Sequence, residues 1–423
     1  MAEWTWLVYM AGDNNFRNLT RSDLDEMENA GPDNVNVGVH LDLPDRRTAR
    51  LVLTPNGFER RQIADKNLNS GCPETLTRFI RWGKAEVPTP DEAPKTKGRV
   101  VVVWDHGSGW LDDALEYVRT HCGITPTQMK QIFHKRATMF LKNFTALIPT
   151  AVAEDGTADD NLTTKDLGDA FKNAVAPNER IEIIGFDACC MGMIEVAHQI
   201  RLYGEVMIGS QDSEETEGWP YTEVLEAFHD GLNVRDAARA VVEAYGNVMH
   251  GKPNATLSAL DLYKIDSLTA ALDQLGIWLL QILQHDPTAI VKIARARARA
   301  QSFLIFDYVD MNDFMDQLII WLGDPKITQA AQRVKDKIYD AVIDRTPKPT
   351  ANLKAYGISV YVPEAEANKE YDNISFTDAA PYWRDFIKEY ASMRGSIGGV
   401  PSPQPSMPSP QRAREGEVDA ASA

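Results

Sequence analysis

The chain has 423 residues, 43% of them hydrophobic, and its 61 acidic against 44 basic side chains give a formal charge of −17. That length allows one large domain or two. The acidity repels a phosphate backbone and favours a cationic partner, so nucleic acid is not expected as a ligand.

In chain order, β-branched and aromatic runs predict strands at Trp4 to Met10 and Val35 to Leu41. Pro73-Glu74 then opens a helix with Leu76, Phe79 and Ile80 on one face. A polar, proline-marked stretch, Val87 to Gly98, precedes a strand at Arg99 to Trp104. Further on come a helix at Leu162 to Phe171, a strand at Ile181 to Phe186, a helix starting near Met191 and a strand at Glu205 to Gly209. A helix at Val224 to Val248 and a strand at Thr256 to Leu262 follow. Most of these strands are apolar on successive positions, as in a sheet covered on both faces. Strands alternating with helices predict an α/β sandwich with a largely parallel central sheet.

Beyond residue 264 the pattern turns helical, with Leu268 to Leu283 and Thr288 to Phe303 the clearest segments, before a strand-like run returns at Gly357 to Val362. The expected organisation is a core over residues 1–263, a helical C-terminal extension over 264–395 and a disordered tail over 396–423, which is rich in Pro, Ser and Gly. No apolar stretch reaches the roughly 20 residues of a membrane span. Met1-Ala2-Glu3-Trp4 begins no basic leader. Four cysteines are too sparse for a disulfide framework, and with no leader a cytoplasmic location is expected.

Two strand ends carry chemistry. Val100 to Trp104 runs into Asp105, His106 and Gly107, and Ile181 to Phe186 runs into Asp187, Ala188 and Cys189. Ligands of open α/β sheets bind at the carboxyl ends of strands. If these two strands are neighbours, a thiol and an imidazole meet there, as nucleophilic catalysis requires. The N–H groups of Gly107 and Cys189 are placed to receive an oxyanion, and a helix N-terminus beside Cys189 would favour its thiolate. Alone, a cysteine ending an apolar strand is more often a core residue. Side chains two apart on a strand share a face, so Asp187 is read as holding a cationic group beside Cys189, or else as a cap for the turn. Cys190 then points into packing. No Cys-x-x-Cys or His-x-x-x-His spacing suggests zinc.

The segments WTWLVYMAGDNN, VVVWDHGSGW, FDACCMGMIEVA, EGWPY and GISVYVP, in this order, resemble the clostripain family of cysteine peptidases, of the clan that includes caspases, gingipains and legumains. The resemblance implies a caspase-like α/β/α sandwich and a dyad of Cys189 and His106 that cleaves peptides after Arg or Lys. It makes Asp187 the acidic specificity determinant, with Asp212, Glu214 and Glu215 as further acids of the same cleft. Many relatives mature by cutting themselves between the two motifs, here the insertion 111–160, where Lys135, Arg136 and Lys142 offer sites for self-cleavage. The same insertion would also suit a regulatory partner. The sequence requires no cofactor. Calcium, which some relatives need, is left open by the acidic pairs Asp112-Asp113, Glu154-Asp155 and Asp159-Asp160, none with EF-hand spacing. A competing reading is a caspase-like scaffold that binds a basic peptide without cutting it, and a third is a transferase or ligase working through the same thioester.

Overall fold

The computed structural model describes residues 3–33, 35–44, 47–64, 67–87, 98–111, 152–155, 160–215, 217–252, 254–348 and 353–396. The expectations for Lys135, Arg136, Lys142, Asp112, Asp113, Asp159 and the tail beyond residue 396 lie outside them, as do the side chains of Glu154 and Asp155.

The N-terminal part comprises β1 (Trp4–Ala11), α1 (Leu19–Ala30), β2 (Val35–Asp42), β3 (Ala49–Thr54), β4 (Gly57–Ile63), α2 (Pro73–Glu86) and β5 (Gly98–Trp104). Next come β6 (Val152–Asp155), β7 (Asp160–Leu162), α3 (Thr164–Ala174), β8 (Ile181–Asp187), α4 (Ile194–Ile200) and β9 (Gly204–Gly209). They are followed by α5 (Tyr221–Glu226), α6 (Val234–Val248) and β10 (Leu257–Asp261). The C-terminal part holds α7 (Ile265–His285), α8 (Ala289–Arg299), β11 (Tyr308–Asp310), α9 (Met311–Leu322) and α10 (Pro325–Ala341). It ends with β12 (Val342–Thr346), β13 (Ser359–Tyr361), α11 (Ser375–Ala379) and α12 (Pro381–Ser396).

Nine strands form one sheet in the order β12-β10-β9-β8-β5-β1-β2-β3-β4. The centre, β9-β8-β5-β1-β2, is parallel, and antiparallel strands close both sides. The sheet is therefore mixed and largely parallel at its core, as the alternation of strands and helices predicts.

The two-residue period of an extended chain sends alternate side chains to opposite faces. In β1, Trp4, Trp6, Val8 and Met10 pack with α1, α5 and α6, while Leu7, Tyr9 and Ala11 pack with α2, α3 and the C-terminal helices. Both faces are covered, which is why the strands read as unbroken apolar runs. Fully burying one such aliphatic or aromatic side chain contributes about 1.5–3 kcal/mol.

Several expectations change. The predicted helix Val224 to Val248 is two, because Gly231 takes a left-handed φ of 89° and Asn233 caps α6 by accepting the Asp236 N–H. The run Gly357 to Val362 does not enter the main sheet. Its β13 pairs with β11, and Ser359 bridges Met193 just before α4. The strand that does return to the main sheet is β12, antiparallel to β10. The β3–β4 hairpin turns at Pro55-Asn56 and enters β4 at Gly57, whose φ is 92°, and its outer strand keeps Glu59, Arg60 and Arg61 exposed, charges that discourage pairing with another chain's edge.

Leu272 of α7 is sealed in the core cluster that also contains Leu7, Val101 and Phe186 of the sheet. Leu272→Ala is expected to lower unfolding free energy by about 2–5 kcal/mol. In urea, the sheet and the helical extension should still unfold in one transition; two resolved transitions would show that they are separate units.

Candidate active site

Parallel pairing sets Trp104 opposite Asp187, and the ladder continues one step further, with the Asp105 N–H donating to the Asp187 carbonyl at 3.2 Å. The His106 loop and the Cys189 turn therefore leave the sheet side by side. Their closeness is visible at Gly107: a Cβ there would lie 2.3 Å from the Cys189 carbonyl oxygen and 3.0 Å from the Cys189 nitrogen. Only glycine permits that approach.

Two more segments brace the histidine. Phe16 stacks on the His106 ring with centroids 3.7 Å apart. Asn14, on the same loop after β1, donates to Asp105 Oδ1 at 2.8 Å and to the Ala11 carbonyl at 2.9 Å. Sequence reasoning passed over Phe16 and Asn14 as individual residues, although both belong to or adjoin the MAGDNN segment. Burial pushes His106 down to about 3, so the imidazole is neutral.

The nucleophile turn is tight. Cys190 is buried at a left-handed φ of 61°, its N–H donating to the Asp212 carbonyl at 3.0 Å. This conformation is uncommon for a residue with a Cβ, and it separates the environments of the two cysteines. Cys189 remains partly exposed, and its Sγ accepts the main-chain N–H of Glu214 at 3.3 Å. The expected helix N-terminus is absent from this position, because α4 begins only at Ile194, after Met193 has joined Ser359. Burial, together with the charges of Glu214, Asp212 and Asp187, pushes the Cys189 thiol up to about 12. That direction favours a thiol at rest, whereas the helix N-terminus expected from the sequence would have favoured a thiolate.

Beside it lies a buried carboxylate group. Asp187 accepts the Trp219 N–H on Oδ1 at 3.1 Å and the Tyr221 hydroxyl on Oδ2 at 2.9 Å, and only 4% of it is exposed. Glu214 faces Asp187 within hydrogen-bonding reach and accepts the Trp219 indole N–H on Oε1 at 3.4 Å. Burial and the neighbouring Asp187 raise Glu214 well above the usual carboxylate range, and burial raises Asp187 to about 6. Asp23 of α1 completes the group. It accepts the Trp104 indole N–H at 2.7 Å, and burial plus Asp187 raise it to about 8.

Asp23 escaped sequence reasoning, though it had a signal. Thr20, Asp23, Leu24 and Met27 form the buried face of α1, and a carboxylate on such a face is unusual. The other predicted acids differ from one another. Asp212 Oδ1 accepts the N–H groups of Ser213 and Leu304, both at 2.8 Å, which ties the loop after β9 to the segment before β11. Glu215 lies 3.9 Å from the Lys252 ammonium. Among the described residues no three His, Cys, Asp or Glu side chains converge as a metal site, and no helix is long and apolar enough to cross a membrane.

The clostripain family matches over residues 8–126 and 141–395. A secreted C11 cysteine protease from Bacteroides thetaiotaomicron, solved with an irreversible peptide inhibitor, superposes with a TM-score of 0.62 at 19% identity, covering 90% of this chain and 100% of that one. An inactive zymogen C11 protease from Parabacteroides distasonis gives 0.62 at 20% identity, covering 90% and 98%. No curated protein matches. The chain belongs to the clostripain family and is a cysteine peptidase of that family.

Two outcomes follow from the geometry. Gly107→Ala should force the Cys189 turn away from the His106 loop and lower peptidase activity about 100-fold; unchanged turnover would refute the close approach. Asp23 has a folded-state pKa above its unfolded one, so the folded state binds the extra proton. Its contribution to stability is present in acid and is lost as pH rises toward about 8. Asp23→Asn should therefore be more stable than wild type near pH 8 by urea unfolding, with the gap closing toward about pH 4. A gap that is constant with pH would contradict this.

Proposed function

We propose that the protein is an endopeptidase that cleaves after Arg or Lys through Cys189 and His106. The observation that carries this reading is the pair of buried acids beside Cys189, Asp187 and Glu214, with Asp23 behind Asp187 and no basic group among their strongest partners. Buried charge of one sign is costly unless it is paired, and a guanidinium or ammonium group on the substrate supplies the missing partner.

In this reading the neutral His106 takes the Cys189 proton as sulfur attacks the carbonyl carbon. The N–H groups of Gly107 and Cys189 receive the developing oxyanion. The imidazolium then protonates the leaving amine, and water resolves the thioester. A high thiol and a low imidazole make the separated ion pair unfavourable at rest. That favours a latent form, opened when the insertion 111–160 is cut, with Lys135, Arg136 and Lys142 as candidate bonds. A zymogen known among the relatives is consistent with it.

The test compares wild type, Cys189→Ala, Cys190→Ala and Asp187→Asn on peptides ending in Arg, Lys or Asp, with and without calcium. Wild type should release product after Arg or Lys and show fragments cut between residues 111 and 160. Cys189→Ala should do neither, and Cys190→Ala should keep most activity. Asp187→Asn should raise KM for basic substrates about ten- to hundredfold, as expected for one charge-assisted contact. Turnover by Cys189→Ala, or a preference for Asp, would overturn the proposal.

A further inference from the structure

Sheet order sets β8 and β9, whose ends carry Cys189 and the loop of Glu214, on one side of β5, and β1, β2, β3 and β4 on the other. On that second side the loop after β1 stacks Phe16 on His106 at 3.7 Å, and Arg17 follows directly in the chain. Arg17 lines a hollow of about 440 Å³ between α1 and the β3–β4 hairpin. Its floor is apolar, built from Leu24, Leu41, Leu51 and Phe58, and the exposed Arg21 and Arg60 stand on its rim with Arg17. A second hollow of about 360 Å³ shares Leu41, Leu43 and Arg60 with the first and adds Arg47.

The charge of this groove is opposite to that of the chain as a whole, which is −17. Arg21 is engaged by Asp25 at 2.7 Å. Among the described residues no carboxylate pairs with Arg17, Arg47 or Arg60, all of them exposed. The acid that lines the larger hollow, Glu28, is already occupied, because its Oε1 accepts the Phe58 N–H at 2.9 Å. Helix α1 separates the groove from the acids of the catalytic side. Asp23 and Glu26 turn to Trp104 and Tyr221, whereas Arg21, Leu24 and Glu28, spaced three and four residues apart, share the face on the groove.

We propose that this groove receives the part of the substrate that follows the cut bond, and that it selects acidic residues set among apolar ones there. The inference rests on the reading of Cys189 and His106 given under the proposed function. In that reading His106 hands its proton to the leaving amine, so the departing chain lies on the His106 side of the bond, where Phe16 and Arg17 lead into the groove. From Arg21 to Glu28, α1 runs ~10 Å, the length of about three extended residues. Their apolar side chains cover Leu41, Leu51 and Phe58, and their carboxylates meet the guanidinium groups of Arg17 and Arg60. The substrate is thus read in two signs, a cation before the bond and anions after it.

The enzyme, once cut between residues 111 and 160, is given three quenched fluorescent peptides that are identical up to an Arg and continue as Leu-Glu-Leu-Glu, Leu-Gln-Leu-Gln or Leu-Lys-Leu-Lys. An Arg coumarylamide, which has no residue after the bond, runs beside them. The Glu peptide should exceed the Gln peptide in kcat/KM by about three- to tenfold, the Lys peptide should be the poorest, and about 1 M salt should narrow the gaps. In the double variant Arg17→Gln/Arg60→Gln the Glu-to-Gln ratio should fall toward one. That ratio is internal to each variant, so partial misfolding or a slower dyad does not alter it. Arg333→Gln, on an exposed face of α10, should keep it. Cleavage of the coumarylamide with equal rates for the three peptides overturns this inference alone, as does a ratio that survives the double variant or falls equally in Arg333→Gln. A groove that holds a second copy or another protein would give the first of these results. Failure to cleave the coumarylamide and all three peptides overturns the reading of the dyad and its basic pocket as well.

Discussion

The parallel pairing of β5 with β8, in register from Val100 opposite Ile183 to Trp104 opposite Asp187, is the constraint on which the site depends. It delivers two loops from distant parts of the sequence to the same edge of the sheet. Because all five central strands run parallel, the loops after β1, β2 and β9 leave at that edge too. The Phe16 stack, the Asn14 bond to Asp105 and the Glu214 contact with Cys189 are consequences of this shared polarity. A slip of one residue in the β5–β8 register would turn every side chain to the opposite face and would part Gly107 from the Cys189 carbonyl.

Electrostatics gives the site its direction. Burial favours a neutral imidazole, a protonated thiol and partly protonated acids in the resting site. Removing a carboxylate from water favours its neutral form, and placing a second one beside it favours that form further. The cost of burying this group is therefore met by proton uptake instead of by an internal salt bridge. A lysine or arginine of this chain in the same place would have stabilised the fold and closed the pocket to any external basic group.

Much of this was legible in the sequence, and for a physical reason. Strands covered on both faces must be apolar at nearly every position, so β1, β2, β5, β8 and β9 stand out as valine-, isoleucine- and tryptophan-rich runs. The residues that end them, Asp105-His106-Gly107 and Asp187-Ala188-Cys189, are conspicuous by contrast. Apart from β3, which is apolar and mostly buried, the strands that escaped notice lack that contrast. Most of β4 is solvent-exposed and carries polar residues, so it reads as loop, although Pro55-Asn56 followed by Gly57 marks its turn. β12 is a half-buried edge strand beginning directly where α10 stops, and β11 and β13 have only three residues each. The start of α4 was set too early because the turn after Cys189 includes apolar residues that are buried without being helical. Glu214 could be named as an acid of the cleft, but its double contact depends on how a loop folds back, which no local pattern records.

Reaction of the protein, once cut between residues 111 and 160, with an irreversible inhibitor built on arginine, followed by peptide mapping, tests the central claim most directly. The account predicts that the label sits on Cys189 alone, and that a matching inhibitor built on aspartate leaves Cys189 unlabelled. Labelling of Cys190 or Cys72 instead, or equal labelling by the two inhibitors, would contradict the placement of the nucleophile beside an acid pocket for basic side chains.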